Sequence, residues 1–331
     1  MIQKTILTGV TPSGIPHIGN YVGAIKPALA NQHEYAHSLY FIADYHSLVK
    51  LWDATERQNY ILHNAATWLA CGLDPNKTLF YRQSDVPEIM ELNWILTSIT
   101  AKGLLNRAHA YKDQVAKNSE AGDKDPDAGI TMGLFNYPVL MAADILAFNA
   151  NLVPVGKDQI QHLEIARDIA LRFNHLYGEV FAIPAPLVDE KTQTLPGLDG
   201  RKMSKSYQNT IPLFVPSNVL RKLVMKIKTN SQLPDEPKQT EGCSVFQIYR
   251  AFATPEQADA LAKRYVSGIG WGEAKQQLFE LLDNTLSEPR QQYDELIANP
   301  NEVYRILKEG AEKARAIAGP MLTKVRRQIG I

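Results

Sequence analysis

The 331 residues carry 35 Lys and Arg against 35 Asp and Glu, with 45% hydrophobic and 21% charged side chains. This balance excludes a disordered chain and a general polycation, so any nucleic acid would have to be held by a local basic patch on a globular protein. Cys71 and Cys243 lie far apart with no CxxC partner, which excludes a disulfide framework and a Cys-based zinc or iron–sulfur site.

The apolar run after Met1 is too short for a signal peptide, and no segment reaches the roughly 18 apolar residues of a membrane helix. A cytoplasmic protein with no membrane contact is expected. Thr5–Thr8 predicts a first strand ending at Gly9, and 18–30 has helical composition. Ser38–Ala43 predicts a second strand. A helix opens at Asp53, where Glu56 completes a capping box; Ile61, Ala65, Trp68 and Leu69 keep helical spacing to Gly72. Thr78–Tyr81 predicts a third strand, so the rhythm is βαβαβ and the sheet parallel. From about 86 to 150 the strand signal disappears, and helices flanking a polar loop at 118–129 read as an insertion. The sheet resumes at Leu152–Val155, followed by a helix with Ile160, Leu163, Ala166, Ile169 and Phe173 on one face. Residues 188–210 read as a long exposed loop. Beyond Pro216 the composition is helical, with a final stripe broken at Gly319-Pro320.

Three clusters carry chemistry. Thr11-Pro-Ser-Gly-Ile-Pro-His-Ile-Gly-Asn20 joins the first strand to the first helix, at the ligand-binding edge of a parallel sheet. Gly14 and Gly19 allow close approach to the backbone, the helix start offers free N–H groups to phosphate, and His17 and Asn20 project from the first turn. The same residues also suit a plain connection with a polar cap. Arg201-Lys-Met-Ser-Lys-Ser206 sets two ammonium groups three residues apart, which suits a clamp on polyphosphate better than a merely solvated loop. In the third, Asp144 lies among Leu140, Met141, Ala142, Ala143 and Ile145, where a carboxylate needs a donor. An Arg or Lys partner, a helix cap or a ligand could each supply it. Asp158 and Gln159 stand just after a strand, again at the sheet's ligand edge.

The pair His17-Ile-Gly-Asn20 and Lys202-Met-Ser-Lys-Ser206, separated by a Rossmann-like alternation, resembles the class I aminoacyl-tRNA synthetases. Tyr137-Pro-Val-Leu-Met-Ala-Ala-Asp144 and Val153-Pro-Val-Gly-Lys-Asp-Gln159 resemble the bacterial tryptophanyl-tRNA synthetases over essentially the whole chain. The resemblance implies an α/β catalytic domain at 1–210, Rossmann-like, with the helical insertion at about 86–150 and a mobile signature loop at about 189–210. A helical tRNA anticodon-binding domain follows at 211–331, its last helix packing back on the catalytic part.

The implied reaction turns tryptophan and ATP into tryptophanyl-adenylate and pyrophosphate, then transfers tryptophan to its tRNA. His17, Asn20, Lys202 and Lys205 would be catalytic. ATP would be held by Thr11, Pro12, Ser13, Gly19, Asn20, Gly156, Lys157, Asp158, Lys202, Met203, Ser204, Lys205 and Ser206. Tryptophan would lie among Leu7, His46, Tyr137, Met141, Asp144, Val153, Val155 and Gln159, its indole N–H donating to Asp144. Magnesium would come with ATP, with no zinc and no metal cage in the protein. The implied partners are tRNA for tryptophan and a second copy in a homodimer, with Arg221, Lys222, Lys226, Lys228, Lys324, Arg326 and Arg327 as phosphate contacts. Three positions depart from the pattern: Asn20 replaces the second motif histidine, Lys157 stands where an acidic residue is frequent, and Thr11 where Gln is frequent. A tyrosyl-tRNA synthetase and an inactive nucleotide- or tRNA-binding paralogue are the competing readings, opposed by the Met-Ala-Ala-Asp segment and the intact signature loop.

Overall fold

A computed structural model describes residues 2–30, 32–156, 159–187 and 194–331. Strand β1 (Ile2–Val10) is followed by a helical stretch of α1 (Ile18–Asn20), a π-helical segment (Tyr21–Ile25) and α2 (Lys26–Ala30). Next come β2 (Tyr35–Ile42), α3 (Asp44–Ser47), α4 (Ala54–Ala70) and β3 (Leu79–Arg82). The Asp53 carboxylate accepts the Glu56 N–H at 2.8 Å, one of the two bonds of the expected capping box. The insertion comprises α5 (Glu88–Ile99), α6 (Lys102–Leu105), α7 (His109–Glu120) and α8 (Met132–Leu146).

The polar loop begins later than the sequence predicts, because α7 runs to Glu120. Asn118 is buried at its end and donates to the carbonyls of Pro126 at 2.9 Å and Ala128 at 2.8 Å, folding the loop back on the helix. After β4 (Leu152–Pro154) and α9 (Ile160–Tyr177) comes β5 (Ala185–Leu187), a strand the sequence reading omitted. With three residues and a central proline it gives no periodic signal. Its place at the sheet edge is where a missing N–H is tolerated. The helical part holds α10 (Ser217–Met225), α11 (Ser244–Phe252), α12 (Pro255–Ser267), α13 (Trp271–Ala298) and α14 (Pro300–Ile329).

The sheet is fully parallel in the order β3-β2-β1-β4-β5, a Rossmann-like arrangement. Strand order reverses between β1 and β4, so the crevice at their carboxyl ends is the expected ligand site. Strand alternation feeds two cores. Leu7, Leu39, Phe41 and Tyr81 pack with α5, α8 and α9 on one face; Tyr40, Ile42 and Phe80 pack with α4 and the C-terminal helices on the other.

Helix α14 crosses from one core to the other. Val303 and Leu307 lie in the second core, whereas Ala311, Ala314, Ala318, Leu322 and Val325 lie in the first. The crossing covers the outer edge of β3, which would otherwise present unpaired peptide groups. Gly310 sits at the crossing: a Cβ there would stand 1.8 Å from the Phe80 carbonyl oxygen, a backbone atom that cannot turn aside. The expected break at Gly319-Pro320 does not occur, since core contacts by Ala318, Leu322 and Val325 on both sides hold the helix through Pro320.

Gly310→Ala is therefore expected to cost about 1–3 kcal/mol through overpacking. Gly319→Ala, in the same helix with nothing within 4 Å of its Cβ, should be neutral or gain up to about 1 kcal/mol of helix propensity. Urea midpoints of the two variants check the contrast, and equal midpoints would remove the close crossing. Among the described residues no helix is long and apolar enough to cross a membrane.

Candidate active site

A cavity of about 960 Å³ opens at the carboxyl ends of β1, β2 and β4. Leu7, His46, Tyr137, Met141, Asp144, Val155 and Gln159, all singled out in the sequence for the amino acid, line it together with Thr11 and Ser13. Val153 does not belong to the wall. It keeps the core-facing position of β4, whereas Val155 lies past the strand's end and turns inward. Phe41, which the sequence reading passed over as plain strand, contributes an aromatic wall.

Asp144 on α8 is 1% exposed, and its donors come from the protein. They are neither Arg, Lys nor a helix end: His46 Nε2–H donates to Oδ2 at 2.8 Å and Gln83 Nε2–H to Oδ1 at 2.7 Å. Burial raises the Asp144 pKa above the usual carboxylate value, and the hydrogen bonds from His46 and Gln83 oppose that rise. Each carboxylate oxygen has two lone pairs, so each retains acceptor capacity after these bonds.

On the opposite wall, the Tyr137 hydroxyl is hydrogen-bonded to His162 Nε2, and His162 Nδ1 meets Gln159 Oε1 at 2.9 Å. A ring that accepts the Tyr137 O–H at Nε2 donates from Nδ1 to Gln159 Oε1, so one chain of hydrogen bonds fixes all three side chains. Burial pushes the Tyr137 phenol up to about 12, so it stays protonated at neutral pH. His162 is buried and cavity-lining; the sequence reading followed the apolar stripe of the same helix and did not single it out.

The nucleotide motifs form a second cluster beside the cavity. Residues 16–18 pair with 211–213: Ile18 N–H donates to the Ile211 carbonyl at 3.0 Å, and Leu213 N–H to the Pro16 carbonyl at 3.0 Å. The pairing anchors the signature loop against the first turn, with Pro12 buried beneath it. Gly14 has φ +134°, and a Cβ there would lie 3.0 Å from Lys205 Nζ; one on Gly19 would lie 3.5 Å from Met203 Sδ. Asn64 of α4 donates to the Gly14 carbonyl at 3.0 Å and fixes the turn.

His17 caps α1. Its Nδ1 accepts the Asn20 N–H at 3.2 Å, while Asn20 Oδ1 accepts the His17 N–H at 3.1 Å. Burial first, and the Lys205 charge second, lower the His17 pKa to about 4. The ring is thus neutral, and with Nδ1 accepting, its proton is on Nε2, a ready donor. Burial lowers the Lys205 pKa to about 8. Lys202 and Ser206 are exposed and Ser204 half-buried, its Oγ 2.8 Å from Ser206 Oγ.

Asn209, three residues past the motif, organises this loop. Its Nδ2 donates to Asp199 Oδ1 at 2.7 Å and to the Lys202 carbonyl at 3.1 Å, and its Oδ1 accepts the Ser204 N–H at 2.8 Å. Arg201 pairs with Asp199 and lies 4.4 Å from the Tyr207 ring. Gly156 is exposed and its carbonyl accepts the Gln159 N–H at 2.9 Å; Lys157 and Asp158 lie outside the described residues. Among the described residues no three His, Cys, Asp or Glu side chains converge as a metal site.

Two nucleotide motifs on a Rossmann-like sheet, beside a pocket with one buried acceptor, define an adenylate-forming synthetase of class I. Residues 3–287 match the family model of the class I tRNA synthetases for tryptophan and tyrosine. The tryptophan--tRNA ligase of Neisseria meningitidis is 54% identical, with 100% of this chain and 99% of that protein covered. That of Pseudomonas aeruginosa is 56% identical over 98% of this chain and 73% of its own. A crystal structure of the Campylobacter jejuni tryptophanyl-tRNA synthetase, complexed with ADP and tryptophan, superposes with TM-score 0.90 at 45% identity, covering 99% and 100% of the two chains. The chain belongs to the class I tRNA synthetases and, within them, to the tryptophan--tRNA ligases. Its substrates are accordingly tryptophan, ATP and tRNA.

Proposed function

We propose that the cavity and the motif cluster beside it divide the activation step between them. The observation that carries this reading is the juxtaposition of a fully buried, doubly bonded Asp144 in an apolar cavity with the contact between Gly14 and Lys205. Indole is apolar except for one N–H, a donor only, and a lone pair of Asp144 accepts it while Leu7, Phe41, Met141 and Val155 enclose the ring. Tyr137 and Gln159 receive the ammonium group.

The substrate carboxylate then attacks the α-phosphorus of ATP in line. A bond forms from carboxylate oxygen to phosphorus as the bridging bond to the β-phosphate breaks, and pyrophosphate leaves. No protein nucleophile is required, so positioning and electrostatics supply the acceleration. Thr11, Ser13 and the backbone at Gly19 face the phosphates, with His17 donating from Nε2. Asn20, with Oδ1 committed to the cap, acts through His17. Lys202 and Lys205 balance the charge that develops on pyrophosphate, Met203 lies against the adenine, and Ser204 and Ser206 shape the loop. Gly156 and Asp158 serve the ribose, and Lys157 lies between them. ATP brings magnesium with it, as oxygen-rich phosphates do.

The helical part at 211–331 is the anticodon-binding domain. Arg221, Lys222, Lys226, Lys228, Lys324, Arg326 and Arg327 are its phosphate contacts, Arg326 being held meanwhile by an exposed pair in which its Nε donates to Glu91 Oε1 at 2.6 Å. Trp94 and Met132 of the insertion, 70% and 67% exposed, support a homodimer that meets through it. The protein works in the cytoplasm.

Tryptophan-dependent ATP–pyrophosphate exchange tests the reading. It should require magnesium, need no tRNA, and survive a zinc-selective chelator with magnesium in excess. Loss of exchange under that chelator would contradict the magnesium-only assignment.

A further inference from the structure

Gln83 follows β3 at the sheet's carboxyl edge and is completely buried. Its Oε1 accepts the Tyr45 N–H at 3.1 Å and its Nε2 donates to Asp144 Oδ1 at 2.7 Å. A main-chain N–H can only donate, so the amide cannot flip without setting two donors face to face. The NH₂ group is therefore held toward Asp144 by the backbone of α3, the same short helix that carries His46.

We infer that Gln83 is the positioning residue of the indole acceptor: it holds the Asp144 carboxylate in the plane and the ionised form that receive the N–H of tryptophan. This rests on the reading of Asp144 given above. The ionised form needs support. Asp144 is surrounded by apolar residues of its own helix, Asp44 adds a like charge from α3, and the Tyr81 hydroxyl from β3 has no partner among the described residues. Among the described residues only His46 and Gln83 donate to the carboxylate, and a donor to the charged form favours that form. His46 is partly exposed at the cavity wall, whereas Gln83 is sealed beneath it, so Gln83 fixes the geometry whether or not a ligand is present.

The test compares tryptophan with its sulfur isostere, β-(benzothiophen-3-yl)alanine, in pyrophosphate exchange by full-length wild type, Gln83→Met and Asp144→Ala. Methionine fills a similar volume but donates nothing. For Gln83→Met, kcat/KM for tryptophan should fall about ten- to a hundredfold, the scale of a lost bond to a charged group. The isostere should change less than about threefold, and KM for ATP should hold. The acid limb of kcat/KM for tryptophan should move to higher pH, because removing a donor raises the Asp144 pKa. Since both amino acids are read on the same protein, misfolding cannot mimic the contrast. An equal loss for both, or an unmoved acid limb, would overturn the role of Gln83. If Asp144→Ala narrows the tryptophan-to-isostere ratio and Gln83→Met does not, the Gln83 inference fails and the Asp144 reading stands. If neither narrows it, the Asp144 reading itself fails.

Discussion

Lys205→Ala should slow tryptophanyl-adenylate formation by about 10²–10³-fold, the usual cost of removing one charge contact made chiefly in the transition state. Equilibrium binding of tryptophan should shift little, since Lys205 packs against Gly14 and does not line the amino acid cavity. The wild-type enzyme should show the same dependence on pH. With the Lys205 pKa lowered to about 8 by burial, the ammonium form is lost from the free enzyme as pH rises through that value. kcat/KM for ATP should therefore fall on the alkaline side near pH 8, and this limb should be absent in the variant. The kcat limb should lie higher, because bound phosphates favour the charged form. His17, with its pKa near 4, stays neutral throughout this range and adds no limb of its own. Single-turnover adenylate formation and tryptophan titrations check both points. A variant with full rate and weakened tryptophan binding would refute the clamp.

Asp144→Ala should lower kcat/KM for tryptophan by about 10–10³-fold. The substrate loses its acceptor, and His46 and Gln83 lose theirs, so the pocket wall loosens as well. Tyrosine and phenylalanine have no indole N–H and should change much less, which narrows discrimination. Some thermal stability should be lost on any reading, because two donors are left unpaired in a buried site. The preference ratio is what separates the roles. A carboxylate that merely anchors His46 and Gln83 predicts a lower melting temperature with the ratio intact.

The contrast between what could and could not be read from the sequence has physical causes. α4 and α9 were legible because each keeps the helical period along a buried stripe, and β2 because its second half is one unbroken buried run. β5 was hidden by its length and proline, and the passage of α14 through Pro320 reflects packing on both sides that no local rule contains. The lining residues Tyr137, Met141, Asp144, Val155 and Gln159 could be named because they lie within the motifs, and Leu7 and His46 through the resemblance those motifs carry. Val153 packs in the core behind the wall, because β4 ends one residue short of the prediction and it is Val155, past that end, that reaches the cavity. Gln83 was missed because it works through bonds to distant segments, and Asn209 because its bonds lie within an irregular loop that has no sequence period. Both left a trace nonetheless: Gln83 stands just after a strand at the sheet's ligand edge, and Asn209 ends the signature loop.

The most direct measurement is a crystal structure of the enzyme with tryptophan and a non-hydrolysable ATP analogue. The indole N–H should lie about 3 Å from an Asp144 oxygen that still accepts from Gln83 or His46. The phosphates should pass between the first helical turn at His17 and the Lys202–Lys205 loop. An indole nitrogen turned away from Asp144, or phosphates bound away from Lys205, would contradict the assignment of the two halves of the site.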